Sequence, residues 1–218
     1  MGMILTEHER EIYPFIQNYL STNKMLEIDR LISYLRIIVA NKDVNLNYVG
    51  IKQTVQNLIE KKIILEGTRL TKEQILNNGN RKDVFTFICS NPGVYHFQIA
   101  KHLNLANHIV NWHLDALLNF DFIKEVKIDN HQIYYDSNIS PDHAIIQYYF
   151  RSEKVNQILS YLRNKPEGVS KTKIAKDMNM HPLTVKKYVD DLLKYNLLIK
   201  KNSGPKVFSN EIVPNYYL

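Results

Sequence analysis

The chain repeats itself, and this constrains its fold more than any other feature. Residues 99–123 align without a gap on residues 174–198, at a constant spacing of 75 residues, the distance from Ile99 to Ile174. Eight aligned positions are identical, and in the first copy these are Ile99, Ala100, Lys101, Asn104, Val110, Asp115, Leu117 and Leu118. Self-similarity at a fixed spacing indicates a series of similar supersecondary units.

Each copy predicts a short helix, a tight turn and a longer helix, followed by a β-hairpin. Apolar residues of the longer helix recur at intervals of four, three and one, which places them on one face. They are Val110, Leu114, Leu117 and Leu118, and in the second copy Val185, Val189, Leu192 and Leu193. Turn residues at 129–130 and 202–205 separate the two strands of each hairpin. This order of elements predicts winged-helix domains, a mainly helical α+β fold with small hairpin wings.

A more diverged third copy lies 134 residues upstream of the last, where Ile51 aligns on Val185 and Leu58 on Leu192. Its wing is missing, because Thr71 predicts the N-cap of another helix where a hairpin is expected. We therefore expect three domains. They are an N-terminal helical or winged-helix-like domain at 1–78, a central winged helix at 79–140 and a basic C-terminal winged helix at 141–218.

Positive charge is concentrated in the C-terminal third. Residues 141–218 hold 13 Lys and Arg against 7 Asp and Glu, whereas residues 81–140 hold 5 against 6, and the whole chain carries +6. A basic face is typical of nucleic-acid binding, because neutralised phosphates release counterions. The alternative is the solvated charged surface of any soluble protein.

In a winged helix-turn-helix the first half of the second helix enters the major groove, while the first helix and the wing contact phosphates. In the last domain this assigns base contacts to His181, Thr184, Lys186 and Lys187. It assigns phosphate contacts to Lys171 and Lys173 on the short helix and to Lys200, Lys201 and Lys206 on the wing. Pro182 is expected at the first helical position, with His181 as the cap before it.

In the central domain the corresponding exposed residues are Asn107, His108 and Asn111, with His113 as a further candidate. Asn can pair in two places with adenine, but this helix has no Arg for the common guanine contact. Trp112 either stacks on a sugar or base or covers the wing, and the sequence favours packing against the wing.

Three sets of residues carry a family resemblance. They are residues 91–95, which lead into the first short helix, residues 109–114 with Leu117 and 122–123, and their repeats at 165–169 and 183–189. Over roughly residues 80–210 the chain resembles archaeal transcriptional regulators with tandem winged helix-turn-helix domains, of the MarR/ArsR-like winged-helix superfamily. The resemblance implies binding to double-stranded DNA at promoters, often as a dimer, without catalysis.

No catalytic or cofactor motif is found. The sequence lacks a zinc spacing, a phosphate-binding loop and a nucleophile elbow, so we expect no enzyme, no cofactor and no metal. A metal site from His102, His108 or His113 is the alternative to ordinary surface histidines. Cys89 is the one cysteine and is predicted to be a buried small residue. With no apolar run of membrane-spanning length, we expect a cytoplasmic protein that does not bind membranes.

A second functional hypothesis is a protein-interaction scaffold, because winged helices also serve that role. Such a chain resembles tandem winged-helix subunits of endosomal-sorting complexes or of the basal transcription machinery. The near-neutral central domain and the aromatic tail at 214–218 favour a protein partner. A tail that folds back on its own domain explains the same residues.

Overall fold

The structure is a computed structural model that describes residues 4–42, 44–201 and 207–209, with side chains up to Lys200. The α-helices are α1 (Glu7–Thr22), α2 (Ile28–Ala40), α3 (Tyr48–Glu60), α4 (Gly79–Ser90), α5 (His96–Leu103), α6 (Asn107–Asn119), α7 (Pro141–Phe150), α8 (Glu153–Arg163), α9 (Lys171–Asp177) and α10 (Pro182–Lys194). A 3₁₀ helix spans Lys72–Asn77. The strands are β1 (Val94–Tyr95), β2 (Ile123–Ile128), β3 (His131–Asp136), β4 (Ile199–Lys201) and β5 (Val207–Ser209). The prediction of a mainly helical α+β chain is confirmed.

The chain forms two compact units. One comprises residues 1–90, 95–125 and 134–137, and the other comprises residues 91–94, 126–133 and 138–218. The base of the β2–β3 hairpin therefore belongs to the first unit and its tip to the second. The division into three domains at residues 78 and 140 stays a prediction.

The same turn ends α3, α6 and α10, which all have 13 residues. Two residues past each helix the backbone φ is positive, at Lys62, Asp121 and Asn196. The next N–H donates to a carbonyl five residues earlier, from Ile63 to Leu58 at 2.9 Å, from Phe122 to Leu117 at 2.9 Å and from Leu197 to Leu192 at 2.7 Å. These are the bonds of a helix that ends through a left-handed residue. The backbone thus repeats at the two spacings found in the sequence.

This turn returns the chain to the core in each copy. Ile63, Ile123 and Leu197 follow it closely and are all buried. The N-terminal core lies in the first unit. It is a cluster of buried aliphatic and aromatic side chains from α1 to α3, among them Ile16 and Leu35. The apolar faces predicted from the repeat are therefore the faces that the helices bury.

The hairpins follow the two C-terminal copies. β2 and β3 join at a turn in which Asp129 has a φ of 53°, and β1 completes a sheet of order β1-β3-β2. β4 and β5 pair antiparallel, with Ile199 opposite Ser209 and Lys201 opposite Val207. Their connection, residues 202–206, lies outside the described residues, as does the aromatic tail.

The N-terminal copy is helical throughout. Among its described residues, 4–42 and 44–78, there are four helices and no strand. The helix expected after Thr71 is present as a 3₁₀ helix, at whose start the Thr71 N–H donates to Gln74 Oε1 at 3.1 Å.

Cys89 differs slightly from expectation, because it is half-buried rather than fully buried. Its Sγ donates to Asp136 Oδ2 at 3.3 Å. Burial and the Asp136 carboxylate raise the pKa of the thiol to about 12. Since the thiolate is the reactive species, this cysteine is chemically inert at neutral pH.

Gly93 stands where a side chain does not fit. Its φ is 82°, and a Cβ there would lie 2.2 Å from the Ala144 carbonyl oxygen in α7. Gly67 also has a positive φ, 76°, but a Cβ on it would meet nothing within 4 Å. Gly93 is therefore required both by its backbone angle and by the close approach of α7.

A comparison of Gly67 with Gly93 separates the cost of backbone strain from the cost of steric overlap with α7. Gly67→Ala is expected to lower the free energy of unfolding by about 1 kcal/mol, from backbone strain alone. Gly93→Ala is expected to cost about 2 kcal/mol more, because the overlap with Ala144 must be relieved by moving α7. Thermal and urea unfolding of both variants measure the difference. Equal destabilisation would show that α7 does not hold this position against Gly93.

A buried carboxylate joins α1 to the end of α3. Glu9 is fully buried and accepts a hydrogen bond from the Thr6 N–H at 2.7 Å. Lys61 Nζ donates to both oxygens of Glu9, at 2.8 and 2.7 Å. Burial raises the pKa of this carboxyl, but the bonds from Lys61 and Thr6 outweigh burial and bring the pKa below its usual 4.5.

The lowered pKa predicts an acid-sensitive contribution to stability. A group of this kind stabilises the fold fully above its unfolded pKa and loses that contribution as the pH falls through its folded pKa. Glu9→Gln is expected to lower the free energy of unfolding by about 1–3 kcal/mol at pH 7. The gap to the parent protein should close as the pH falls from 5 to 3 in circular-dichroism melts. A gap that is constant with pH would contradict the ionised pair.

Candidate nucleic-acid interface

Local capping builds the helix pair of the C-terminal copy. Ser170 Oγ accepts from the Lys173 N–H at 3.2 Å and begins α9. His181 Nδ1 accepts from the Leu183 N–H at 3.3 Å and begins α10, with Pro182 at the first helical position. The predicted cap is confirmed. Since Nδ1 is the acceptor, a neutral His181 ring carries its proton on Nε2 and presents a donor to solvent.

The two sides of α10 differ sharply. Val185, Val189 and Leu192 are fully buried. On the other side Lys186 is exposed, Thr184 is half-buried and the Leu183 side chain is 67% exposed. The first half of α10 thus offers an ammonium group, a hydroxyl and an aliphatic side chain to an external ligand.

Lys187, on the same exposed side, has an internal partner. Its Nζ lies 2.6 Å from Asp129 Oδ2, at the tip of the β2–β3 hairpin. This hydrogen bond raises the pKa of Lys187, so the ammonium stays charged. The pair remains accessible, because the Lys187 side chain is 49% exposed and that of Asp129 is 29% exposed.

Further acidic groups lie beside this ion pair. Burial and the Asp129 carboxylate raise the pKa of Asp191, which follows Asp190 on α10. Burial and the charge of Asp191 in turn raise the pKa of the Tyr149 hydroxyl on α7 far above its usual range. Lys187, together with Lys194, therefore compensates a locally acidic site.

The other predicted lysines fall into three groups. Lys171 pairs with Asp190, so the start of α9 is bonded to α10. Lys173 and Lys200 are exposed. Lys201 lies in β4, where only its backbone is described, and Lys206 lies outside the described residues.

In the central copy Asn107, His108 and Asn111 are all exposed on α6. The Asn107 carbonyl lies 3.2 Å from His96 Nε2 at the start of α5. These three side chains share one exposed surface, and none of them is a lysine or an arginine.

Two expectations for α6 are wrong. His113 was expected to be exposed, but it is 2% exposed, and burial together with the charge of Arg81 lowers its pKa. Trp112 was expected to pack against the wing, but it is 56% exposed, with the Arg81 guanidinium 4.8 Å from its ring centre. The two residues are adjacent in α6, and the imidazole of His113 faces inward whereas the indole of Trp112 faces outward.

Arg81 and Asp129 are the two groups that sequence reasoning missed. Arg81 is 2% exposed, and its Nη1 donates to the Ile75 carbonyl at 3.0 Å. No motif or repeat in the sequence marks Arg81, which lies at the start of α4. The sequence did contain a signal for Asp129, because a charged residue at the tip of a predicted hairpin can reach a neighbouring surface.

The described side chains include no group of three or more His, Cys, Asp and Glu residues arranged to hold a metal. His102, an alternative ligand in the sequence, instead stacks on Phe87 with ring centres 4.1 Å apart. Within the described part of the chain, no helix has the length and apolar character needed to cross a membrane.

Comparison with known proteins gives one distant similarity. The chain matches no protein-family model. Over 150 residues it is 28% identical to a protein of Methanocaldococcus jannaschii named an uncharacterized HTH-type transcriptional regulator. The match includes 68% of this chain and 38% of that protein. The chain therefore spans less than half the length of this relative.

Proposed function

We propose that the chain is a sequence-specific regulator of transcription that binds double-stranded DNA through winged helix-turn-helix domains and carries out no catalysis. The observation that carries the proposal is the exposed first half of α10, with Lys186 and Leu183 on its surface. It lies in the part of the sequence that holds nearly all of the excess positive charge. The distant relative named a helix-turn-helix regulator supports the same class.

In the proposed complex α10 lies in the major groove. Lys186 donates to a guanine edge or a phosphate, Thr184 contacts a base through its hydroxyl, and Leu183 packs on a thymine methyl group. His181 donates through Nε2 to a phosphate at the groove edge. Residues of this kind give both affinity and sequence preference, because amines bind phosphates and short polar or apolar groups distinguish base edges.

The flanking elements position α10 on the duplex. The Lys173 ammonium group contacts a phosphate from α9. Lys200, Lys201 and Lys206 act from the wing. In the central copy, Asn107, His108 and Asn111 add contacts of low charge, which set register more than affinity. Lys171 contributes indirectly, because its pairing with Asp190 fixes α9 on α10.

In the proposed complex, Asp129 competes with DNA for Lys187. The carboxylate holds the ammonium in the unbound chain at 2.6 Å, and a phosphate that approaches α10 must replace it. An ion pair as exposed as this one contributes about 0.2–1 kcal/mol. Loss of this ion pair is therefore outweighed by contacts of the chain with several phosphates, but the charge of Asp129 weakens DNA binding.

The first test removes the charges of α10. Lys186→Ala with Lys187→Ala is expected to raise the Kd for a specific duplex at least tenfold and to lower the slope of log K against log salt by about 2. The control is Lys154→Ala with Arg163→Ala, the same charge change at exposed positions of α8. Fluorescence anisotropy across a salt series measures both. Unchanged binding by the α10 variant would overturn the assigned role of that helix.

The second test removes the competitor. Asp129→Asn keeps the size of the side chain and tolerates the positive φ, and it is expected to tighten DNA binding by about 3–10 fold, because Lys187 is released and a repelling charge is lost. In a Lys187→Ala background the gain should shrink. Asp121→Asn is the matched control, since Asp121 also is an exposed Asp with positive φ. Equal effects at Asp121 and Asp129 would show a general charge effect in place of competition.

A further inference from the structure

α3 of the N-terminal copy has an exposed side that neither the sequence motifs nor the resemblance assigned to any role. Tyr48 and Val49 are large apolar residues that are 48% and 72% exposed. Lys52, Gln53 and Gln56 are exposed on the same helix. A helix in a packed core does not need this combination of apolar and amine groups on its solvent side.

The repeat shows what this side corresponds to. The turn after α3 has the same hydrogen bonds and the same positive φ as the turn after α10, 134 residues later. In that register Val49 aligns with Leu183, Lys52 with Lys186 and Gln53 with Lys187. Both aligned apolar residues, Val49 and Leu183, are more than 60% exposed. α3 thus matches α10 in backbone and in register, and both helices present an exposed aliphatic residue and an exposed lysine.

An open groove borders the first turn of α3. Its volume is about 640 Å³, and it is lined by residues from the end of α2, the connection and α3, among them Arg36, Lys42, Asn45 and Tyr48. The charged residues among those that line it are both cationic, Arg36 and Lys42. Lys52 extends over the Tyr48 ring, with Nζ 4.9 Å from the ring centre. Two cations and an amide therefore line one concave surface, and a third cation, Lys52, lies over the Tyr48 ring at its edge.

We propose that α3 and this groove form a second DNA-binding surface, which takes the phosphate backbone and one groove edge of the same duplex class. The inference rests on the proposed function of the chain. Arg36 binds phosphate through its planar guanidinium, Lys42 and Lys52 neutralise further phosphates, and Val49 packs on a thymine methyl group. Gln53, whose Nε2 donates to Asn57 Oδ1 at 2.9 Å in the unbound chain, exchanges this bond for an adenine edge.

Charge complementarity favours nucleic acid over a protein as the occupant. Protein-docking surfaces also combine an apolar centre with a polar rim, but here the charged residues that line the groove, Arg36 and Lys42, and Lys52 over the Tyr48 ring are all cations. Duplex DNA presents a regular row of phosphates that several such cations can neutralise together. The surface lies in a region of the sequence that is close to neutral, with 10 Lys and Arg against 9 Asp and Glu in residues 1–80. Overall charge therefore does not reveal it.

The test uses the full chain with Arg36→Gln, Lys42→Gln and Lys52→Gln combined. The control combines Arg10→Gln, Lys24→Gln and Arg69→Gln, exposed residues of the same unit that lie outside α3 and the groove. For the groove variant we expect the Kd of a specific duplex to rise at least tenfold and the salt slope to fall by about 2–3. The control should change the Kd less than threefold. Hydroxyl-radical footprinting should show loss of one protected segment and retention of the rest.

The outcomes are distinct. If the groove variant binds like the parent or like the control while the α10 variant is weakened, the second surface is refuted and the proposed function stands. If the parent chain binds no duplex at any salt concentration, both fail. If the triple variant unfolds in circular-dichroism melts, Lys52→Gln alone is tested, with an expected slope change of about 1, and no change refutes the proposal.

Discussion

The structure depends on one turn, the left-handed exit at the end of the longer helix in each copy. The N–H after the positive-φ residue bonds to a carbonyl five residues earlier, at Leu58, Leu117 and Leu192. This bond ends the helix and directs the next apolar residues back to the core. Each helix is thereby fixed at its C-terminal end, and one side of its N-terminal half is exposed. The candidate interfaces on α3, α6 and α10 all lie on those exposed sides.

The three copies share a backbone but differ in the charge of their exposed helix surfaces. α10 carries Lys186 and Lys187, α3 carries Lys52, and α6 has Asn111 and Trp112 at the corresponding positions. On α10 the cation Lys187 is balanced by Asp129. If α10 binds a polyanion as proposed, its affinity depends on both charges. The proposed interfaces then differ in strength, with the C-terminal copy strongest and the central copy weakest.

Much of this fold could be predicted from the sequence, because a repeat and a helical periodicity report directly on local structure. The apolar faces, the His181 cap and the β2–β3 hairpin follow from neighbouring residues. The contact of Lys187 with Asp129 does not, because the two residues are 58 positions apart and periodicity carries no information on such pairs. The buried Arg81 and the inward His113 were missed for a related reason. Their burial depends on how elements pack. Arg81 lies outside the repeat, and His113 was expected to face outward with the polar residues of its helix.

The proposed function requires that this chain binds double-stranded DNA with sequence preference. The most direct measurement is fluorescence anisotropy of the purified chain with a labelled duplex pool and with a fragment of its own promoter, over a series of salt concentrations. We expect submicromolar binding, a steep decrease of affinity with salt and selection of a sequence from the pool. Absence of binding even at low salt would contradict the proposed function and would point to a protein partner for the exposed helix faces.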